Sequence, residues 1–163
     1  MWKLFTVTFL NASTALACFA PPESAMIPLE EMVKRNDNIY LAEAVSVSKP
    51  GKTLKSPSNI FKFKVVETIK GKAVKSLKIE GYRAKDNNEI SDFNGHKDEM
   101  FWSNNTSGRL INDPSCQVQP TFAKGTRYLI FPLQPYTYKS LEIVKTNDDM
   151  FLQKVRELVA AKK

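Results

Sequence analysis

The sequence holds one histidine, two cysteines and six glycines in 163 residues, and each scarcity removes a class of chemistry. So few glycines, scattered along the chain, leave no glycine-rich phosphate loop, which sets nucleotide chemistry of that kind aside. With His96 the single histidine, an internal zinc site would take nearly all its remaining ligands from carboxylates, an unusual set for zinc. No metal and no cofactor are therefore expected. A Ser-His-Asp hydrolase would need His96 as its base, and no nucleophile-elbow sequence accompanies it. Catalysis is not expected, and a loop histidine bonded to a backbone group or a neighbouring carboxylate is the commoner arrangement. Nor does any apolar run reach the roughly 20 residues that a membrane-crossing helix requires.

The longest apolar stretch, Leu4 to Leu16, follows Met1-Trp2-Lys3 and ends in Ala15-Leu16-Ala17. That layout predicts a signal peptide over residues 1–17, cleaved behind Ala17, and an extracytoplasmic product, periplasmic or secreted, that begins at Cys18. A lipoprotein signal would also make the cysteine the first residue, but it prefers a large aliphatic residue where Ala15 stands. In an exported chain, Cys18 and Cys116 are expected to form a disulfide. Closing so long a loop would remove roughly 4–5 kcal/mol of denatured-state entropy. Two free thiols are the alternative.

Lysine and arginine total 24 against 17 acidic residues, a net charge of +7. Such an excess can favour anionic partners such as envelope surfaces. Along the sequence, however, the lysines are interspersed with Asp and Glu, which gives no expectation of nucleic-acid binding and reads as a solvated basic surface.

Residues 18–163 suit one domain with a sizeable core. Pro21 and Pro22 stiffen an extended arm after Cys18. Between Ser24 and Asn36, Met26, Leu29, Met32 and Val33 recur at spacings of three and four, which predicts a short amphipathic helix. The period then shortens to two over Ile39–Val47, Ile60–Glu67 and Ser76–Tyr82, and the turns between them predict an antiparallel meander. Further strands are expected over 126–133 and 138–146. A closing helix is expected over 148–161, capped by Asn147 or Asp148, with Phe151, Leu152, Val155, Leu158 and Val159 on one face. Periodicity fails over about 83–115, a segment that still carries Phe93, His96, Phe101 and Trp102. A connection of that length is usually functional or disordered. His96, Phe101 and Trp102 are its candidate partner-binding residues, with burial of the rings against the core as the alternative.

The order of several short motifs resembles a known family. Cys18-Phe19-Ala20-Pro21-Pro22, a helix, Asn38 through Val47, Phe63-Lys64-Val65-Val66-Glu67-Thr68-Ile69-Lys70-Gly71, then Cys116 and Phe122 through Phe131, are similar to the tissue inhibitors of metalloproteinases in their prokaryotic, netrin-like relatives. The resemblance implies a mostly β fold with flanking helices, an OB-like five-stranded antiparallel barrel. It also implies that the terminal cysteine, bridged to a loop cysteine, chelates a target protease's zinc through its free amine and carbonyl oxygen. Cys18 would be the chelating residue, with Phe19, Ala20 and Pro21 as the contact ridge. The family's Cys-x-Cys start is here Cys18-Phe19-Ala20, and the segment around His96 and Trp102 is foreign to the animal inhibitors. The expected function is a non-enzymatic exported binding protein that inhibits a metalloprotease through Cys18. The alternative is an interaction module that binds through residues 93–102.

Overall fold

The structure is a computed structural model that describes residues 23, 26–49, 58–84, 94–98, 101, 108–110 and 118–161. Three long strands, β1 (Ile39–Ser48), β2 (Asn59–Lys70) and β3 (Ser76–Arg83), form the expected antiparallel meander. Arg127–Ile130 pairs antiparallel with β1 and Leu141–Ile143 pairs with it in turn; these strands are β5 and β6. The remaining strand, β4 (Thr121–Phe122), runs parallel to the end of β3. The sheet order is β4-β3-β2-β1-β5-β6, so the described residues hold six strands and one parallel pair where five antiparallel strands were expected. Two residues are too few to show a period, which is why β4 left no mark in the sequence pattern.

Connectivity forces this sheet to curl. Laid flat, β4 and β5 would lie four strand spacings apart, about 19 Å. Only residues 123–126 join them, a link that spans about 17 Å even when fully extended. It is far from extended, because the Thr126 N–H turns back to the Ala123 carbonyl at 3.4 Å, while Gly125 and Ala44 are joined by a 2.7 Å backbone bond. The β3 and β1 sides are thus drawn towards each other.

Inside the curl, Phe61, Phe63, Phe122 and Tyr128 meet ring to ring, with centroids 4.9–5.9 Å apart. Small residues make this possible: Ala42 stands opposite Tyr128 in the β1–β5 register, and a Cβ on Gly81 would lie 2.6 Å from the Phe122 ring. On the other face of β1 and β5, Ile39, Leu41 and Leu129 pack beneath two helices, α1 (Leu29–Arg35) and α2 (Met150–Ala160). Central β1 is buried on both sides, so its pattern is nearly continuous in apolar residues, unlike the clean alternation of β2.

Each helix is fixed by identifiable contacts. Leu29, Met32 and Val33 form the buried stripe of α1, and the Lys70 ammonium donates to the Val33 and Asn36 carbonyls at 2.8 and 2.6 Å, satisfying its C-terminal end. Helix α1 is shorter than the expected 24–36, with Pro28 just outside it as its N-cap residue. In α2, Phe151, Leu152 and Val155 are buried as expected, and Leu158 and Val159 pack partly buried against the same core. The cap is Asp149 rather than Asn147 or Asp148: it is the last residue with non-helical backbone, and its Oδ1 accepts the Leu152 N–H at 2.9 Å. Among the described residues no helix is long and apolar enough to cross a membrane.

Candidate functional site

Three described residues of the long connection, His96, Phe101 and Arg109, meet around Glu142 and Asp149. His96 lies in a 3-10 turn (Asn94–Lys97) that sits against α2, and its side chain is 7% exposed. Its Nδ1 is 2.7 Å from Asp149 Oδ2 and its Nε2 is 3.3 Å from Glu142 Oε2. The Glu142 side chain is fully buried, and its other oxygen accepts the Arg109 backbone N–H at 2.7 Å. The imidazole rests against the rings of Phe101 and Phe151, each with its centroid 5.1 Å away. Lys139, 1% exposed, holds its ammonium over the opposite part of this cluster, 5.1 Å from the Phe101 ring.

Burial alone would lower the His96 pKa. The hydrogen bonds to Asp149 and Glu142, together with the charges of both carboxylates, more than offset it and raise the pKa from 6.5 to about 9. His96 is therefore an imidazolium at neutral pH, both N–H groups donating and no lone pair free to take a proton. Burial pulls the Lys139 pKa down, while the charges of Glu142 and Glu30 act against it. The two carboxylates lie on opposite ring nitrogens and share no common point, and among the described residues no group of His, Cys, Asp and Glu is arranged to hold a metal ion. The arrangement ties the 3-10 turn to β6 and to the N-terminus of α2 by charge-assisted bonds.

Arg109 does the corresponding work for the sheet. Its Nε donates to the Leu141 carbonyl on β6 at 2.8 Å, and its Nη1 reaches Thr121 Oγ1 on β4 at 3.0 Å. The guanidinium lies 5.1 Å from the Tyr128 ring centroid. One side chain thus bridges the two terminal strands of the sheet. Neither Arg109 nor Glu142 carried a signal in the sequence: Arg109 falls in the aperiodic stretch, and Glu142 looked like an outward residue of an alternating strand.

A small cleft of about 110 Å³ opens between α1 and the 131–140 connection, where the Gln134–Pro135 peptide is cis. Its volume falls below the roughly 300–1,000 Å³ of small-molecule sites. Its polar lining is turned to structural work: Asn36 Nδ2 donates to the Met32 carbonyl, Asn36 Oδ1 accepts the Leu133 N–H, and Thr137 bonds Met32 Sδ and Ser140.

No family model and no curated protein matches the chain. Of the residues singled out in the sequence, His96 and Phe101 are brought together, but in the interior, 5% and 3% exposed, so they do not present the contact surface expected of residues 93–102. The two rings cover the apolar end of α2, and burial is the physical reason they are there. Trp102, Phe93, Cys18, Phe19, Ala20, Pro21 and Cys116, together with the expected signal peptide, lie outside the described residues.

Proposed function

We propose that the chain is an exported binding protein without catalytic chemistry of its own, built on an OB-like barrel of the metalloproteinase-inhibitor type, and that it inhibits a metalloprotease through Cys18. The observation that carries the barrel reading is the Arg109 bridge between β4 and β6, the outermost strands of a sheet already curled by the four-residue link between β4 and β5. The sole histidine, engaged through both ring nitrogens, is consistent with a molecule that works by contact. The chemistry at Cys18 rests on the sequence resemblance: a terminal amine, unprotonated, is a nitrogen donor for zinc, and a disulfide to Cys116 would hold it at one edge of the barrel beside Phe19, Ala20 and Pro21.

The test is to add one alanine ahead of Cys18 in the processed chain and measure inhibition of zinc metalloproteases. Loss of inhibition, with thermal stability unchanged, supports chelation by the terminal residue. Equal potency of the two proteins refutes it. The alternative reading, a contact surface over residues 93–102, has less support because His96 and Phe101 are interior.

A further inference from the structure

Lysines that are scattered along the sequence are gathered by the strand register. Residues 59–83 carry seven basic and two acidic side chains, most of the excess in a chain of net charge +7. Two of the seven have structural duties or a position at the hairpin end: Lys70 closes α1, and Lys72 lies in the turn. Lys62, Lys64 and Lys78 are different. Phe61 and Phe63 point into the core, so the alternate residues Lys62 and Lys64 stand on the outer face of β2, and both are exposed.

Across the ladder, Lys62 is directly opposite Lys78, and Ser46 flanks it on the other side. Like charges placed opposite each other destabilise a strand pair. Among the described residues no carboxylate lies within ion-pair distance of Lys62, Lys64 or Lys78. The acidic groups on this face are Glu43, opposite Lys64, and Glu80, which stands opposite Ile60 and is bonded by the Ser58 hydroxyl. Three ammonium groups therefore share a patch one strand spacing wide, about 5 Å, and two residues long, about 7 Å. Val66, where the β1–β2 register shifts just beyond Lys64, is 51% exposed.

We infer that the outer face of the β2–β3 hairpin is a docking surface for an anionic lipid bilayer. The chemistry of the patch selects this partner among polyanions. Lysine is a compact, flexible point charge without the planar fork that arginine uses to grip phosphate or sulfate groups in fixed geometry, so the patch suits a diffuse charged plane. Beside the lysines the outward positions hold no aromatic side chain, and the next one along β3, the half-buried Tyr82, is a single ring, too little for a platform on which successive bases of single-stranded nucleic acid stack. An exposed valine beside the lysines suits the boundary between headgroups and acyl chains.

The experiment is vesicle co-sedimentation of the full chain and its K62Q/K64Q/K78Q variant, with phosphatidylcholine vesicles and with vesicles partly replaced by phosphatidylglycerol. Any apolar segment common to both proteins contributes equally to each and cancels in the comparison. Each lysine near an anionic surface is worth about fivefold in partitioning, so the variant should bind the anionic vesicles about a hundredfold more weakly, and high salt should reduce wild-type binding to the same level. Equal binding of the two proteins to anionic vesicles overturns the proposal. So does wild-type binding to DNA or heparin beads without binding to vesicles. A variant that self-associates while keeping its vesicle affinity would assign the lysines to protecting the part of β3 that the two-residue β4 leaves uncovered, which also overturns it.

Discussion

His96 and Asp149 are joined by a 2.7 Å contact in which one carboxylate has two partners: Oδ2 accepts the imidazolium Nδ1–H, and Oδ1 caps α2 by accepting the Leu152 N–H. The charge of a residue in the long connection is thereby coupled to the start of a helix more than fifty positions later. Glu142 closes the arrangement from β6.

This coupling fixes the sign of the pH dependence. The folded-state pKa of His96, about 9, stands above its ordinary 6.5. Its contribution is therefore fully present below pH 6.5 and is lost as pH rises through 9, an amount of about 3 kcal/mol. Urea unfolding between pH 6 and 10 should show wild type losing this stability, while His96→Ala is weaker at neutral pH and lacks that loss. Lys139 is present in both proteins, so the difference isolates the histidine. Parallel pH profiles would show that the fold does not raise the His96 pKa.

Replacing Asp149 separates its two roles. Asparagine is as good an N-cap as aspartate, so Asp149→Asn should keep the α2 cap and lose the charge pair, seen as a fall in the His96 pKa by NMR titration. Asp149→Ala should lose both, with about 1 kcal/mol of further destabilisation. An unchanged His96 titration in Asp149→Asn would contradict the pairing.

Removing Arg109 should open the sheet at its ends. Arg109→Ala leaves Thr121 and the Leu141 carbonyl without their donor and removes the cation over Tyr128. A loss of about 2–3 kcal/mol is expected, with hydrogen exchange fastest in β4 and β6. Arg109→Lys should recover only part of it, because an ammonium cannot span both partners as the guanidinium does. Full recovery by lysine would count against a bridging role.

The inside of the curl admits neither less nor more volume. Phe122→Ala, which empties the centre of four rings, should cost about 3–5 kcal/mol. Gly81→Ala drives a methyl group to 2.6 Å from the same ring and 2.7 Å from the Pro120 carbonyl, and should cost about 1–3 kcal/mol. Thermal denaturation of both variants checks this; a neutral Gly81→Ala would show that β4 yields easily.

What could be read in the sequence was what repeats locally. Met32 and Val33 announced α1 by their spacing, Phe61 and Phe63 announced β2, and Phe151, Leu152 and Val155 announced α2. The six-stranded order was not legible, since β4 is two residues long and its partner lies on a strand some forty positions earlier. The ionic cluster was equally hidden, because positions 96, 142 and 149 belong to three elements that meet only after folding. His96 was expected to bond a backbone group or a neighbouring carboxylate; it bonds two carboxylates, both far from it in the sequence. The lysine face had the same origin, for Lys62 and Lys78 become neighbours only through the hairpin register.

The place of β5 beside β1 sets an order for assembly. Tyr40 waits for Ile130 and Leu41 for Leu129, while the β1–β2–β3 turns can close at once. A growing polypeptide that has produced only the meander still shows water the side of Ile39 and Leu41 that the later strand and α2 will cover. Pairing across so long a loop is slow, so until the last third of the polypeptide arrives that apolar side stays uncovered.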